Sequence, residues 1–495
     1  MKGQQGKKSS VSFNYIMNMI LTVSTILFPL ISFPYVSRIL NPEGIGRVSF
    51  VVSVISYFSM AAQLGIPTYG IRECAKLRDN KTKLSQFVKE IILINGVTCI
   101  FIYAVFIASV LCIPKFRTEK ILFLSMGCSI IFNSMGLEWL YKGLEEYVYI
   151  TKRSILFKFI AFIGMFLLIR TDSDVLQYGI LTIFASVGSN ICNWINAKKY
   201  VSWKGIEIIS FRRHLKPVFL FFLMSIATTI YTNLDNVMLG FMSDNTEVGY
   251  YTAATKIKAA LVSVVASLGT VLLPRASYYI EKNKKVEFLD ISKKAMEFTM
   301  ILAIPLTVYF IEFSQECILV LSGKAYAGAF DVMIAIMPTV IFIGMTNVIG
   351  MQILVPLGKE KIVFCSVLGG AVTDFVINRV AIPKYGALGA AIGTSVAEAA
   401  VLLIQWFYNR KMLYAIMKNI SHWKILLATA IGAASVYGIT GSSIYPIVKM
   451  ILSFAVFWGI YFISLVVFRE SLMTELLKKY VRLLFNKVKK NEKEL

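Results

Sequence analysis

Apolar runs of about twenty residues follow one another along nearly the whole chain, each closed by a short polar connection. A hydrocarbon layer about 30 Å thick is crossed by about 20 residues of α-helix, so each run predicts a membrane span. Leu261–Leu273 and Ile451–Phe468 hold no charged residue at all. Fourteen helices are predicted, near residues 11–36, 45–66, 86–112, 120–141, 152–170, 175–196, 216–241, 248–273, 296–321, 329–356, 360–382, 385–408, 424–440 and 444–468. The expected fold is therefore an all-α polytopic membrane protein. Composition agrees: of 495 residues, 57% are hydrophobic and 16% charged, where soluble domains carry about 25% charged residues.

Charge then orients the chain. A net charge of +23 would suggest nucleic acid in a soluble protein. Here about 39 of the 51 lysines and arginines fall at the N-terminus and in the even-numbered connections, against about 10 in the odd ones. That asymmetry predicts cytoplasmic termini and excludes a nucleic-acid partner. Lys2, Lys7 and Lys8 precede a long apolar stretch without a small-residue cleavage site, which predicts a retained first helix. At the other end, 471–495 reads as a basic amphipathic tail on the anionic inner leaflet, or equally as a solvated one.

An internal repeat divides the chain. Gly46 precedes Arg72 by 26 residues, and Gly249 precedes Arg275 by the same 26. Leu64-Gly65 and Leu268-Gly269 occupy nearly equivalent places within these two helices. Because six helices separate the copies, both enter the membrane in one direction, as in transporters built from parallel halves. The expected division is an N-terminal lobe at 1–214, a C-terminal lobe at 215–410, and two further helices at 411–470.

Chemistry is hard to place on this chain. Seven scattered cysteines form no paired motif, and the two histidines, His214 and His422, lie in basic stretches. There is no phosphate-binding glycine loop and no metal cluster, so neither an enzyme nor a cofactor is expected. The informative residues are ionisable groups within apolar runs, which cost about 3 kcal/mol or more at mid-bilayer and usually line a wet cavity or pair together. These are Glu138, Asp235, Lys256, Lys258, Asp374, Arg379 and Glu398, with Arg38, Arg47, Arg72 and Arg275 at helix ends. Thr228, Tyr231, Thr232 and Asp235 fall on one helical face, as do Thr252, Thr255, Lys256 and Ser263. Asn14, Asn18, Thr25, Pro29 and Ser32 share one side of the first helix, where Pro29 and Pro34 are expected to kink it. An ion pair between Asp235 and Lys256 that only orients helices is the competing reading of those two residues.

Three stretches resemble a known family. They are Glu138-Trp139-Leu140-Tyr141-Lys142-Gly143-Leu144-Glu145, Asp235-Asn236-Val237-Met238-Leu239-Gly240 running into Val248-Gly249-Tyr250-Tyr251-Thr252-Ala253-Ala254-Thr255-Lys256-Ile257, and Tyr385-Gly386-Ala387-Leu388-Gly389-Ala390-Ala391-Ile392-Gly393-Thr394. Together they resemble the polysaccharide-transporter branch of the multidrug/oligosaccharidyl-lipid/polysaccharide exporter superfamily, and within it the Wzx-type flippases of O-antigen and capsule repeat units. The resemblance implies a cargo, an undecaprenyl-pyrophosphate-linked oligosaccharide, flipped across a bacterial plasma membrane by alternating access. It implies Lys256, Arg38 and Arg72 as diphosphate ligands, and Tyr231, Asn233, Asn14 and Asn18 as sugar ligands. Asp235, Glu138, Asp374 and Glu398 become candidates for proton or sodium coupling, and a polymerase and glycosyltransferases become pathway partners. A drug/cation antiporter and a lipid II flippase of the same superfamily remain the alternatives. A membrane glycosyltransferase would need a long extracytoplasmic loop, which the odd connections do not supply.

Overall fold

The computed structural model describes residues 11–203, 210–442, 444–475 and 478. The N-terminal lysines and most of the expected basic tail lie outside the described residues. All regular structure among the described residues is helical. Ten helices are long and apolar enough to cross a membrane, or eleven if the bent pair Asn245–Ser267 and Leu272–Glu281 is one span.

The chain turns where the backbone leaves the helical region. Val11–Gln63 runs as 53 helical residues through Pro29 and Pro34, and its one non-helical residue is Asn41, at φ 59° and ψ 173°. At about 1.5 Å per residue that length would far exceed a bilayer, so the turn at Asn41 separates two passes. Glu360–Met417, at 58 residues, turns in the same way after Pro383, where Gly386 takes φ +53°. Only glycine enters that region without a Cβ penalty. The first turn falls in the gap between expected helices 11–36 and 45–66, and the second just inside the start of the expected helix 385–408.

Other expected boundaries move. Residues past 66, expected as a connection, form the helix Ile66–Leu77, opened by a proline in its first turn. The expected helix 120–141 breaks into Lys120–Ser134 and Glu138–Gly143, with Leu137 between them at φ 52°. The expected 329–356 helix is interrupted near Pro338 and closes in a π-helical turn, Val348–Leu354. His214, expected in a loop, belongs to the helix Arg212–Met242 and is buried.

The chain forms two compact units, Met1–Thr252 with Ile382–Ala387, and Ala253–Ala381 with Leu388–Leu495. Within the first unit, the Arg212–Met242 helix lies along Val11–Gln63, with Phe241 edge-on to Phe50 at 5.4 Å. Within the second unit, His422–Thr440 packs on Pro446–Val467, and Tyr461 Oη donates to Ile301 O at 2.8 Å.

The repeat leaves a signature inside the first unit. A Cβ on Gly46 would stand 1.6 Å from Asn245 O, and one on Gly249 would stand 2.0 Å from Pro42 O. Positions 42 and 245 are 203 apart in sequence, as are 46 and 249. Each glycine therefore meets the repeat partner of the residue its own partner meets. A reciprocal exchange of this kind is what a two-fold axis through a contact produces.

Candidate functional site: a polar cavity in the first unit

A cavity of about 480 Å³ opens within the first unit, between helices whose outer faces are apolar. The Val11–Gln63 helix contributes Ser56, Ser59 and Gln63, spaced by three and four residues so that they stack on one face. Lys120–Ser134 supplies Ser129 and Asn133, and Val175–Val187 supplies Ser186. The fourth wall is Arg212–Met242, through Ser225, Thr229 and Asn233. Small hydroxyl side chains make this possible: they leave space, and each carries a donor and acceptor lone pairs.

A second cavity of about 140 Å³ shares Gln63, Pro67 and Asn133 with the first and extends to Glu138, Trp139 and Lys142. Glu138 opens the short helix Glu138–Gly143, directly after the left-handed Leu137, and that break aims its carboxylate into the cavity wall. Lys142 Nζ lies 2.8 Å from Glu138 Oε1, and Arg153 Nη2 lies 3.9 Å from Oε2. Arg153 is buried and donates through Nη1 to Ser189 O at 2.6 Å and to Asn190 Oδ1 at 3.1 Å. Asn190 Nδ2 in turn donates to Phe132 O at 3.1 Å, which ties the two helical segments together.

Of the expected site residues, Asn233 lines the larger cavity and Glu138 the smaller. The others lie elsewhere. Asp235 is buried and accepts a hydrogen bond from Tyr251 Oη. Arg72 is exposed on Ile66–Leu77, its guanidinium 5.7 Å from the Tyr69 ring centre and 5.2 Å from that of Phe221. Arg38 is exposed and donates to Pro34 O, one turn back. Asn14 is buried, Asn18 exposed and Tyr231 half-buried. Lys256, Asp374 and Glu398 belong to the second unit, where Asp374 Oδ1 accepts from Asn378 Nδ2 at 3.2 Å.

Two features escape the sequence reading. Lys158 sits inside the apolar helix Tyr147–Leu168 and donates to Ser24 Oγ at 3.0 Å, and a scan of that run for ionisable residues finds it. The other is a buried cluster around Glu90. Arg213 Nη2 and His214 Nε2 approach its Oε2 at 2.5 and 2.6 Å, while Tyr69 Oη lies 2.8 Å from His214 Nδ1. No local pattern points to it, because Glu90 and His214 are 124 residues apart.

A chamber lined by hydroxyl and amide side chains and walled by lipid-length helices is the build of a membrane transporter for polar cargo. The comparisons narrow that class. The chain belongs to the family described as "Polysaccharide biosynthesis protein", whose model matches residues 12–280. A model described as "Lipid II flippase MurJ" also matches, over residues 154–463. Among relatives, a proposed O-antigen transporter of Escherichia coli (strain K12) is 24% identical over 412 residues, covering 82% of this chain and 99% of that protein. Among solved structures, a lipid II flippase MurJ in an inward closed conformation aligns with TM-score 0.75 at 16% identity, covering 92% of this chain and 98% of that one. An inward-facing multidrug resistance transporter of the MATE family and MOP superfamily aligns with TM-score 0.63 at 12% identity, over 82% and 99% of the two chains. At these identities the two structures establish a shared fold.

Proposed function

We propose that this protein is a flippase for lipid-linked oligosaccharides. It would carry an undecaprenyl-pyrophosphate-linked sugar unit from the inner to the outer leaflet of a bacterial plasma membrane, supplying surface polysaccharide such as O-antigen or capsule. The observation that carries the reading is the hydroxyl- and amide-lined cavity inside a multi-pass apolar bundle of a polysaccharide biosynthesis family. A sugar cannot enter hydrocarbon without losing its hydrogen bonds to water, at a cost of several kcal/mol per polar group. A chamber that replaces those bonds removes the barrier, and the polyprenyl tail can remain in lipid. No bond in the cargo changes, so the protein acts by binding and moving rather than by catalysis.

Lys256, Arg38 and Arg72 are the residues proposed to hold the diphosphate, since charge-assisted hydrogen bonds to phosphate are roughly twice as strong as neutral ones. Asn233, with Asn14, Asn18 and Tyr231, is assigned to sugar hydroxyls. Rocking of one lobe against the other would expose the cargo alternately to each side. Proton or sodium coupling through Asp235, Glu138, Asp374 or Glu398 completes the scheme, with both termini cytoplasmic and the polymerase and glycosyltransferases of the pathway as neighbours.

Purified protein in liposomes containing an undecaprenyl-diphosphate-linked oligosaccharide tests this, by leaflet-specific labelling of the sugar. Movement at least tenfold faster than in protein-free liposomes is expected, and no acceleration would overturn the assignment. In cells, Lys256→Ala is expected to accumulate lipid-linked sugar on the cytoplasmic leaflet, and normal surface glycan would remove Lys256 from the mechanism. The match to the lipid II flippase model favours one second reading. Faster movement of lipid II than of the oligosaccharide lipid in the same liposomes would select it.

A further inference from the structure

The larger cavity carries no charge. None of its lining residues is Lys, Arg, His, Asp or Glu, although ionisable side chains begin in the adjoining chamber with Glu138 and Lys142. Several of its donors are already committed. Ser56 Oγ donates to Val52 O at 2.8 Å, Ser186 Oγ to Ile183 O at 3.0 Å and Ser225 Oγ to Phe221 O at 3.1 Å. These hydroxyl protons are committed to the helices' own carbonyls, so the oxygens face the cavity as acceptors. Asn233 is similar: its Nδ2 donates to Thr229 O and Thr232 Oγ1, both at 3.0 Å, which leaves Oδ1 to accept.

Two further hydroxyls complete the pattern. Ser59 and Ser129 are 6% and 1% exposed, and their Oγ atoms have no hydrogen-bond partner among the described residues. Both oxygens lie beneath the cavity surface and leave the charge-free character of the wall unchanged.

We propose that this cavity receives the uncharged sugar part of the cargo, residues bearing hydroxyl and acetamido groups but no carboxylate, and that its lining, which holds no cation, makes the transporter select against acidic sugars. The proposal rests on the flippase reading and sharpens its substrate class. A sugar hydroxyl donates to the Ser56, Ser186, Ser225 and Asn233 oxygens and accepts from the amide groups of Gln63 and Asn133. An acetamido N–H finds the same acceptors. A uronic carboxylate would find no cation in this wall to pair with, and an unpaired charge is costly to bury even where neutral donors reach it. At about 480 Å³ the cavity lies within the roughly 300–1,000 Å³ span of small-ligand sites, room for a short neutral oligosaccharide. By the same logic the diphosphate is held outside this chamber.

The test compares two probes in liposomes containing the full-length protein: an undecaprenyl-diphosphate disaccharide of N-acetylhexosamines, and its counterpart with one residue replaced by a uronic acid. The neutral probe is expected to move at least tenfold faster. Equal rates, or faster movement of the acidic probe, would overturn the selectivity while leaving the flippase reading intact. Movement of neither probe would overturn that reading as well. Thr229→Lys, which places a cation in the wall, is expected to shift the neutral-to-acidic ratio at least tenfold toward the acidic probe. An unchanged ratio in a folded variant would show that the cavity does not read charge, and the wild-type ratio decides the matter if the variant does not fold.

Discussion

Glu90 has no exposed side-chain surface, and three helices meet on it. Besides Arg213 and His214, the Ser210 N–H donates to its Oε1 at 3.2 Å. His214 bridges the cluster, its Nε2 against the carboxylate and its Nδ1 against the Tyr69 hydroxyl. Truncating such a carboxylate removes charge-assisted bonds and strands a buried imidazole. Glu90→Ala is therefore expected to lower the stability of detergent-solubilised protein by about 1–3 kcal/mol, read from thermal unfolding. Glu90→Gln, which keeps an acceptor for His214, should lose less. Equal losses would mean that the charge contributes nothing beyond the acceptor. None of this was legible in the sequence, where Glu90 follows Lys89 in an amphipathic helix start and His214 follows Arg213 in a basic stretch. Local charge hid a long-range pairing.

Among whole helices, the spans were legible because hydrophobic length is a property of the segment itself; the turn at Asn41 falls in a gap between runs, and that at Gly386 lies one residue inside the expected helix 385–408. Which face of a helix meets the cavity was not. On Arg212–Met242 the polar stripe expected at Thr228 and Thr232 is exposed, while Thr229 and Asn233, one residue along and about 100° around the axis, line the chamber. Both stripes are polar, so periodicity alone cannot choose between them; packing on Val11–Gln63 does. The break that presents Glu138 was missed although Gly136 precedes the left-handed Leu137, because one glycine inside an apolar run does not by itself mark a break. Helix ends give a separate prediction. Asp174 Oδ2 accepts from the N–H groups of Arg170 and Thr171, each at 2.8 Å, in the turn before Val175–Val187. Those two backbone bonds hold its carboxyl below the usual aspartate range. A lowered value stabilises the folded turn above the unfolded aspartate's pKa and ceases to do so as pH falls through the folded one. Protection of the Arg170 and Thr171 amides, read as exchange relative to the intrinsic rate at each pH, should therefore be high near neutrality and fall on acidification below about pH 4. In Asp174→Ala protection should be low throughout, and high protection there would assign it to burial rather than to the cap.

At the scale of the molecule, the reciprocal contact of Gly46 with Asn245 and of Gly249 with Pro42 joins the openings of the two repeats. The sequence showed the repeat as an offset; it could not show that the equivalent glycines meet, because an offset contains no distance. Any side chain at either position falls inside van der Waals range of a backbone oxygen, so alanine must push the helices apart. Symmetry makes the prediction sharp. Gly46→Ala and Gly249→Ala should each destabilise the closed contact by a similar amount, and the double variant should cost clearly less than the sum, since the first substitution has already separated the backbones the second would strike. If transport requires this contact to open and close, both variants should also favour the opened state. A cysteine placed at Asn41, beside the contact, would then react faster with a membrane-impermeant thiol reagent in either alanine variant than in the parent, in a background lacking the seven native cysteines. Additive destabilisation with unchanged labelling would show two independent helix contacts in place of a single hinge shared by the repeats.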